Sequence, residues 1–224
     1  MKLEGIIFDG DGVLFDTEKL HVFAWERVFK SYNIKLNKDD FTEGVGVDDK
    51  TFLENLKKKG KIRKMIKLEK LVVKKNNELI KIANKQNLKV YDEIREVLKF
   101  LKSRYKIAIA SNSDKKFILK VVEVTNIYDY FDLIVTRNDV KRPKPFADIY
   151  FEVIKRLNIP PEKLIAFEDS ETGILAAKSS GIFCIAITTT QSLEKIKIAD
   201  IIIDKLNLHN LKKVIKIFEK KNEN

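Results

Sequence analysis

The sequence predicts an α/β protein: a doubly wound, mostly parallel sheet with a helical unit inserted after the first strand. Three observations carry this. Six short apolar runs rich in β-branched residues recur at Leu3–Phe8, Lys106–Ala110, Leu133–Val135, Leu164–Phe167, Ile182–Ile187 and Ile201–Ile203. Segments with apolar residues at i, i+3 and i+4 alternate with them, a rhythm that implies right-handed crossovers between parallel strands. One long interval, Glu18 to about Gln86, has helical pattern but no strand pattern. The apolar runs hardly alternate with polar residues, as expected of strands covered on both faces.

Leu3–Phe8 is the first strand and leads directly into Asp9-Gly10-Asp11-Gly12-Val13. Alternate residues of an extended tip share a side, so Asp9 and Asp11 are expected to face one point. The glycines let the backbone turn and approach a ligand. An Asp-Gly hairpin is the plainer reading, but it needs a strand returning at once, and Thr17 to Tyr32 has helical period instead. Helical pattern then continues, with a polar interruption at Asn37–Asp40 and glycines at 44, 46 and 60. Residues 18–86 are therefore assigned to a helical cap over the sheet's carboxyl edge, and residues 1–17 with 87–224 to the core.

In the core, the predicted helix Asp92–Ser103 returns the chain to strand Lys106–Ala110, followed by Ser111-Asn112-Ser113-Asp114 and helix Lys115–Thr125. The Ser111 hydroxyl and the unpaired amides of that helix start suit an anionic oxygen; an ordinary N-cap cluster is the alternative. After Leu133–Val135, the segment Lys141-Arg142-Pro143-Lys144-Pro145 enters helix Phe146–Leu157. Prolines on both sides of Lys144 restrict the backbone and hold one ammonium in place. Leu164–Phe167 ends in Glu168-Asp169-Ser170, and Glu171–Ser179 follows with a small, apolar face for close packing on the sheet. Acids at a helix start are favourable in any case. Ile182–Ile187 contains the single Cys184, expected to be a buried reduced thiol. Ile201–Ile203 and helix Asn207–Lys220 complete the alternation, with His209 expected to be structural.

Open parallel sheets bind ligands outside the carboxyl ends of their strands. Here those ends carry carboxylates from two strands, a hard-oxygen set suited to Mg²⁺, with a hydroxyl and an ammonium beside them to hold a phosphoryl group. One carboxylate can act as a nucleophile and form an aspartyl-phosphate.

The order Asp9-x-Asp11, Ser111, Lys144, Glu168-Asp169 resembles the haloacid dehalogenase-like superfamily, in the branch with a helical cap after strand one. The resemblance spans essentially the whole chain. Phe8 to Glu18 and Phe167-Glu168-Asp169-Ser170 look most like the phosphatase and beta-phosphoglucomutase-like members. It implies a Rossmann-like core in which Asp9 is the nucleophile and Asp11 the general acid/base, Asp11 also ligating Mg²⁺ through its backbone carbonyl. Ser111, Asn112 and Lys144 would hold the phosphoryl oxygens, and Glu168 and Asp169 would complete the metal site, Asp169 as the inner ligand. Thr17, His21 and Trp25 match the cap-entry pattern of the mutases, with His21 a proton shuttle or a hinge residue. Two features depart from the family. Pro143, where relatives commonly have Gly, precedes Lys144. Mutase relatives carry a phosphate-binding Arg just after a Gly-Val in the cap; aligned on Gly44-Val45 that place is Val47, and aligned on Gly46-Val47 it is Asp49. Lys50 is the nearest cation and the candidate cap contact. The expected activity is Mg²⁺-dependent hydrolysis of a small phosphorylated metabolite, a sugar phosphate, with a sugar-phosphate mutase as the alternative. A non-catalytic anion- or nucleic-acid-binding protein is the remote one.

The net charge of +11 is local. Lys57 to Lys89 holds 13 basic and 2 acidic residues, leaving 31 of each elsewhere. Lysines outnumber arginines 37 to 7, which argues against base reading by bidentate contacts. A solvated helical face is the expectation for this stretch, with steering of anionic substrates as the alternative, and no nucleic-acid partner. No run approaches the roughly 20 apolar residues that span a bilayer, and a secretory pattern is missing at the start. A cytoplasmic monomer with no membrane partner is expected.

Overall fold

The computed structural model describes residues 2–44, 47–85, 88 and 90–221. Six strands, β1 (Gly5–Phe8), β2 (Lys106–Ser111), β3 (Leu133–Thr136), β4 (Leu164–Glu168), β5 (Phe183–Ile187) and β6 (Ile201–Ile203), lie at the expected places. They form one sheet in the order β3-β2-β1-β4-β5-β6, every neighbouring pair parallel. The chain thus starts at the centre, fills one side, then crosses to the other. The order reverses between β1 and β4, which opens a crevice at their carboxyl ends. Ile6, Ile7 and Phe8 are fully buried, as a strand covered on both faces requires.

Among the described residues four helices lie between β1 and the next strand, in the segment expected to be the cap: α1 (Glu18–Ser31), α2 (Lys38–Thr42), α3 (Asp49–Lys58) and α4 (Leu68–Lys85). The polar interruption at Asn37–Asp40 is a helix start, not a break. The Asn37 side chain accepts the Asp40 N–H, and Asp40 accepts the Asn37 N–H, closing a capping box on α2. Trp25, Phe29, Phe52, Leu53 and Leu71 make a core of the cap's own, with Trp25 and Phe29 stacked at 5.0 Å. Truncating such a buried aromatic to Ala costs about 3–5 kcal/mol. The boundary expected at 86/87 lies outside the described residues, as does the Val45-Gly46 part of the Gly-Val alignment. The two cap crossings nevertheless meet: Phe15 bridges Val90, and the Tyr91 N–H donates to the Leu14 carbonyl at 3.2 Å.

The core helices are α5 (Ile94–Lys102), α6 (Lys115–Val124), α7 (Asp148–Leu157), α8 (Glu171–Ser179), α9 (Leu193–Ile196) and α10 (Leu208–Lys221). One face of the sheet packs Phe8, Ile109 and Phe167 against Leu98, Phe117 and Phe218. The other packs Ile7, Ala166 and Cys184 against Tyr150, Val153 and Ile174. Cys184 is a buried free thiol and His209 is exposed. No helix among the described residues is long and apolar enough to cross a membrane.

Candidate active site

Register places the site. Phe8 pairs with Ile109 on one side and Phe167 on the other, so three strands end at one level and Asp9 and Glu168 emerge side by side. The Asp9 N–H donates to the Phe167 carbonyl at 3.0 Å. Gly12 has φ +79°, and a Cβ there would lie 1.8 Å from an Asp169 oxygen, so the β1 loop rests directly on that carboxylate. The loop after β5 holds both: Thr189 Oγ1 donates to the Gly12 carbonyl and Thr190 Oγ1 to Asp169 Oδ2, each at 2.6 Å.

Lys144 is the centre of the buried charge, its side chain 3% exposed. Its Nζ donates to Asp9 Oδ1 at 2.7 Å, Glu168 Oε1 at 2.6 Å and the Ala110 carbonyl at 2.8 Å. Burial would lower its pKa, but the two carboxylates outweigh that and hold it above the usual lysine range. Tyr150, from α7, donates its hydroxyl to Glu168 Oε1. Burial raises Asp9 well above the carboxylate range despite Lys144, with Glu168, Asp169 and Asp11 adding to the effect. Burial likewise pushes Asp169 up to about 8 against the hydrogen bond from Thr190.

Asp9, Glu168 and Asp169 can each place an oxygen within 4.8 Å of the others. Glu168 Oε2 is buried and has no hydrogen-bond partner, and it lies against α8, where a Cβ on Gly173 would come within 1.9 Å of it. Three crowded carboxylates beside one ammonium, all oxygen donors, one of them orphaned, fit a hard divalent cation such as Mg²⁺.

Asp9 and Asp11 line the same cleft, but their carboxylates have different partners. The chain leaves extended geometry at Gly10, whose carbonyl accepts from Leu14 and Phe15, so strand alternation stops before Asp11. Its carboxylate turns to the cap entry instead, accepting from Thr17 Oγ1 and from Ser113 Oγ at 2.6 Å, with His21 Nε2 at 3.3 Å. Burial would raise its pKa, yet the charge of His21 and hydrogen bonds from His21, Ser113 and Thr17 hold it well below the usual carboxylate range. The Asp11 carboxylate is therefore outside the group of three acids; the metal role implied by the resemblance concerns only its backbone carbonyl.

Ser111 lines the cleft, its Oγ accepting from the Ser113 N–H at 3.0 Å. The amides at the start of α6 are not open as expected. Lys115 N–H donates to Asn138 at 2.9 Å and Lys116 N–H to Asp114 at 3.0 Å, so they form a capped helix start. Asn112 reaches the cleft, but its side-chain amide clasps the Lys144 backbone, accepting from its N–H at 2.9 Å and donating to its carbonyl at 3.2 Å. The Asn112 side chain thus positions Lys144 while the residue itself lines the cleft. Lys50 stands on the outer side of α3, its side chain 65% exposed and 3.9 Å from Glu54 one turn on, and it does not line this cleft.

The cap side of the cleft is formed by Glu18, His21, Trp25, Asp49, Phe52 and Lys75. Sequence reasoning missed Lys75 because it sits in a lysine run whose members Lys58, Lys59, Lys61, Lys64, Lys67, Lys70, Lys74 and Lys81 are indeed exposed. The signal was its place on the apolar stripe of α4, between Leu71 and Leu79 at i±4. Tyr150 and Thr190 were missed as well. The only hint of Thr190 was Thr188-Thr189-Thr190 directly after a strand end.

Residues 6–187 match the family model described as haloacid dehalogenase-like hydrolase. The chain is 38% identical over 181 residues to the phosphorylated carbohydrates phosphatase of Thermotoga maritima, covering 80% of this chain and 82% of that one. It is 29% identical over 196 residues to the beta-phosphoglucomutase of Bacillus subtilis, covering 85% and 86%. The crystal structure of beta-phosphoglucomutase from Clostridium difficile superposes with a TM-score of 0.84 at 25% identity, covering 96% of this chain and 98% of that one. The chain belongs to the haloacid dehalogenase-like hydrolases.

Proposed function

We propose that the protein is a Mg²⁺-dependent phosphatase that hydrolyses the phosphate monoester of a small carbohydrate through an aspartyl-phosphate on Asp9. The observation that carries this reading is the group of Asp9, Glu168 and Asp169 at the crevice where the strand order reverses, with Lys144 paired to Asp9 and Glu168. The name of the Thermotoga maritima relative supports the substrate class. Asp9, Glu168 and Asp169 would hold Mg²⁺, which when bound supplies charge neutralisation for the phosphoryl oxygens.

Asp9 attacks phosphorus as the ester oxygen leaves, and Asp11 gives that oxygen a proton. Asp11 then takes a proton from water as the water oxygen attacks phosphorus and the Asp9–phosphorus bond breaks. With the cleft empty of substrate, Asp11 is a carboxylate held by Thr17, Ser113 and His21, which is the form the second step needs. In the first step it must carry a proton, so the approach of the leaving oxygen has to replace some of those contacts. Lys144 and Ser111 bind phosphoryl oxygens, and closure of the aromatic cap wall excludes bulk water.

The test is phosphate release from a panel of sugar phosphates with Mg²⁺, with EDTA, and by Asp9→Asn. Release that needs Mg²⁺ and vanishes in a folded Asp9→Asn protein is expected; equal release by that variant would overturn the mechanism. A mutase shares the first half-reaction, so beta-glucose 1-phosphate is included and its conversion to glucose 6-phosphate followed beside phosphate release.

A further inference from the structure

Two lysines line the cleft among the described residues, and both are already paired. Lys144 holds the acids where the phosphoryl group reacts. Lys75 is at the cap end, its side chain 3% exposed, and its Nζ lies 2.8 Å from both Oδ1 and Oδ2 of Asp49. Trp25 backs the pair, with the ammonium 5.6 Å from its ring centre. Lys75 engages both oxygens of Asp49, which keeps 25% of its side chain exposed and lines the cleft. Asp48, which caps the start of α3 beside Asp49, lines the same cleft. A phosphate arriving here would meet two carboxylates and a cation whose charge is already offset. A hydroxyl would meet carboxylate lone pairs that accept it, beside aromatic faces that suit the C–H surface of a sugar ring.

We propose that Asp49 is the specificity-determining residue of the cap: by pairing with Lys75 it makes the distal end of the cleft accept hydroxyls and reject a second phosphate. The enzyme then selects carbohydrate monophosphates over bisphosphates of the same skeleton. This rests on the phosphatase reading of Asp9, and it goes further by assigning the selection to one carboxylate.

The test compares fructose 6-phosphate with fructose 1,6-bisphosphate in the wild type, Asp49→Asn, Lys75→Gln and the double variant. The wild type is expected to favour the monophosphate in kcat/KM. Asp49→Asn frees the Lys75 charge and is expected to move the ratio toward the bisphosphate by about tenfold or more, the weight of one charge-assisted hydrogen bond. The double variant should lose that gain. Lys75→Gln alone, which leaves Asp49 unpaired, should push the ratio further toward the monophosphate, so the proposal can be judged even if Asp49→Asn does not fold. An unmoved ratio in folded Asp49→Asn, or a gain that survives in the double variant, would overturn it. Calorimetric binding of the two sugars to Asp9→Asn proteins with and without Asp49→Asn reads the same selection without turnover. A shift there with no phosphate release by the wild type would sink the phosphatase reading and leave Asp49 its role; release without a shift would do the reverse.

Discussion

On the core wall of the cleft every reacting group stands at or just beyond the end of a parallel strand, or is tied to one by buried hydrogen bonds. On the cap wall Trp25, Asp49 and Lys75 come from three different helices, α1, α3 and α4, and meet only through side-chain packing. The core wall inherits its geometry from backbone register, which a substitution on the cleft surface does not move. The cap wall is set by packing and one ion pair, so it can be rewritten by single substitutions. The proposed mechanism puts chemistry on the first wall, and the proposed role of Asp49 puts selectivity on the second.

The strongest challenge to this division is Asp11→Asn, because Asp11 is on the core wall but its partner His21 lies in α1, the first cap helix, and its partner Thr17 immediately precedes that helix. The amide removes proton transfer and should slow turnover ~10²–10⁴-fold, read as kcat with both a good and a poor leaving group. The slow-down should be smaller for the good one, which needs less protonation. Equal slowing for both would move Asp11 from acid–base chemistry to the hinge.

A smaller effect separates the acids by the sign of their pH dependence. The pKa of Asp11 is held down in the fold, so its contribution to stability is present above the unfolded value of about 3.9 and is lost as pH falls below it. Asp169 is raised to about 8, so it binds a proton in the fold that the unfolded chain has given up, and it lowers stability as pH rises from about 4 to 8. A bound Mg²⁺ would offset that burial cost by favouring the charged carboxylate. Melting curves should therefore show Mg²⁺ raising Tm by more at pH 8 than at pH 5, where it must displace a proton. An equal shift at both would place the cation elsewhere.

The smallest expected effect is none. Changing Lys57, Lys58 and Lys59 together to Gln should leave kcat unchanged, since Lys58 and Lys59 are exposed and Lys59 pairs with Glu43 on the cap surface. Their effect on kcat/KM should also vanish at every ionic strength. A salt-dependent loss would show that the outer cap face steers substrate.

The same division explains what could be read from the sequence. Asp9, Ser111, Glu168 and Asp169 were legible because strands are local signals and a parallel sheet sends all their ends to one edge. Lys144 was legible from the prolines around it. The direction of the Asp11 side chain was not, since it depends on a turn at Gly10 and on Ser113, 102 positions away. Nor was the Asn112 clasp on Lys144, which joins residues 32 apart. Lys75 was hidden by its neighbours: a lysine among exposed lysines reads as surface unless its place on the helical stripe is weighed first.

Gly173 has a consequence beyond local fit. It sits in the first turn of α8, where glycine costs a helix about 0.5–1 kcal/mol relative to Ala. In return the helix approaches the sheet until only a hydrogen atom separates its backbone from Glu168. Glu168 holds Lys144, and Lys144 holds Asp9. The thickness of one hydrogen atom on a distant helix is thus transmitted through two ion pairs to the nucleophile. A single added carbon at position 173 would act as a shim driven under the whole row.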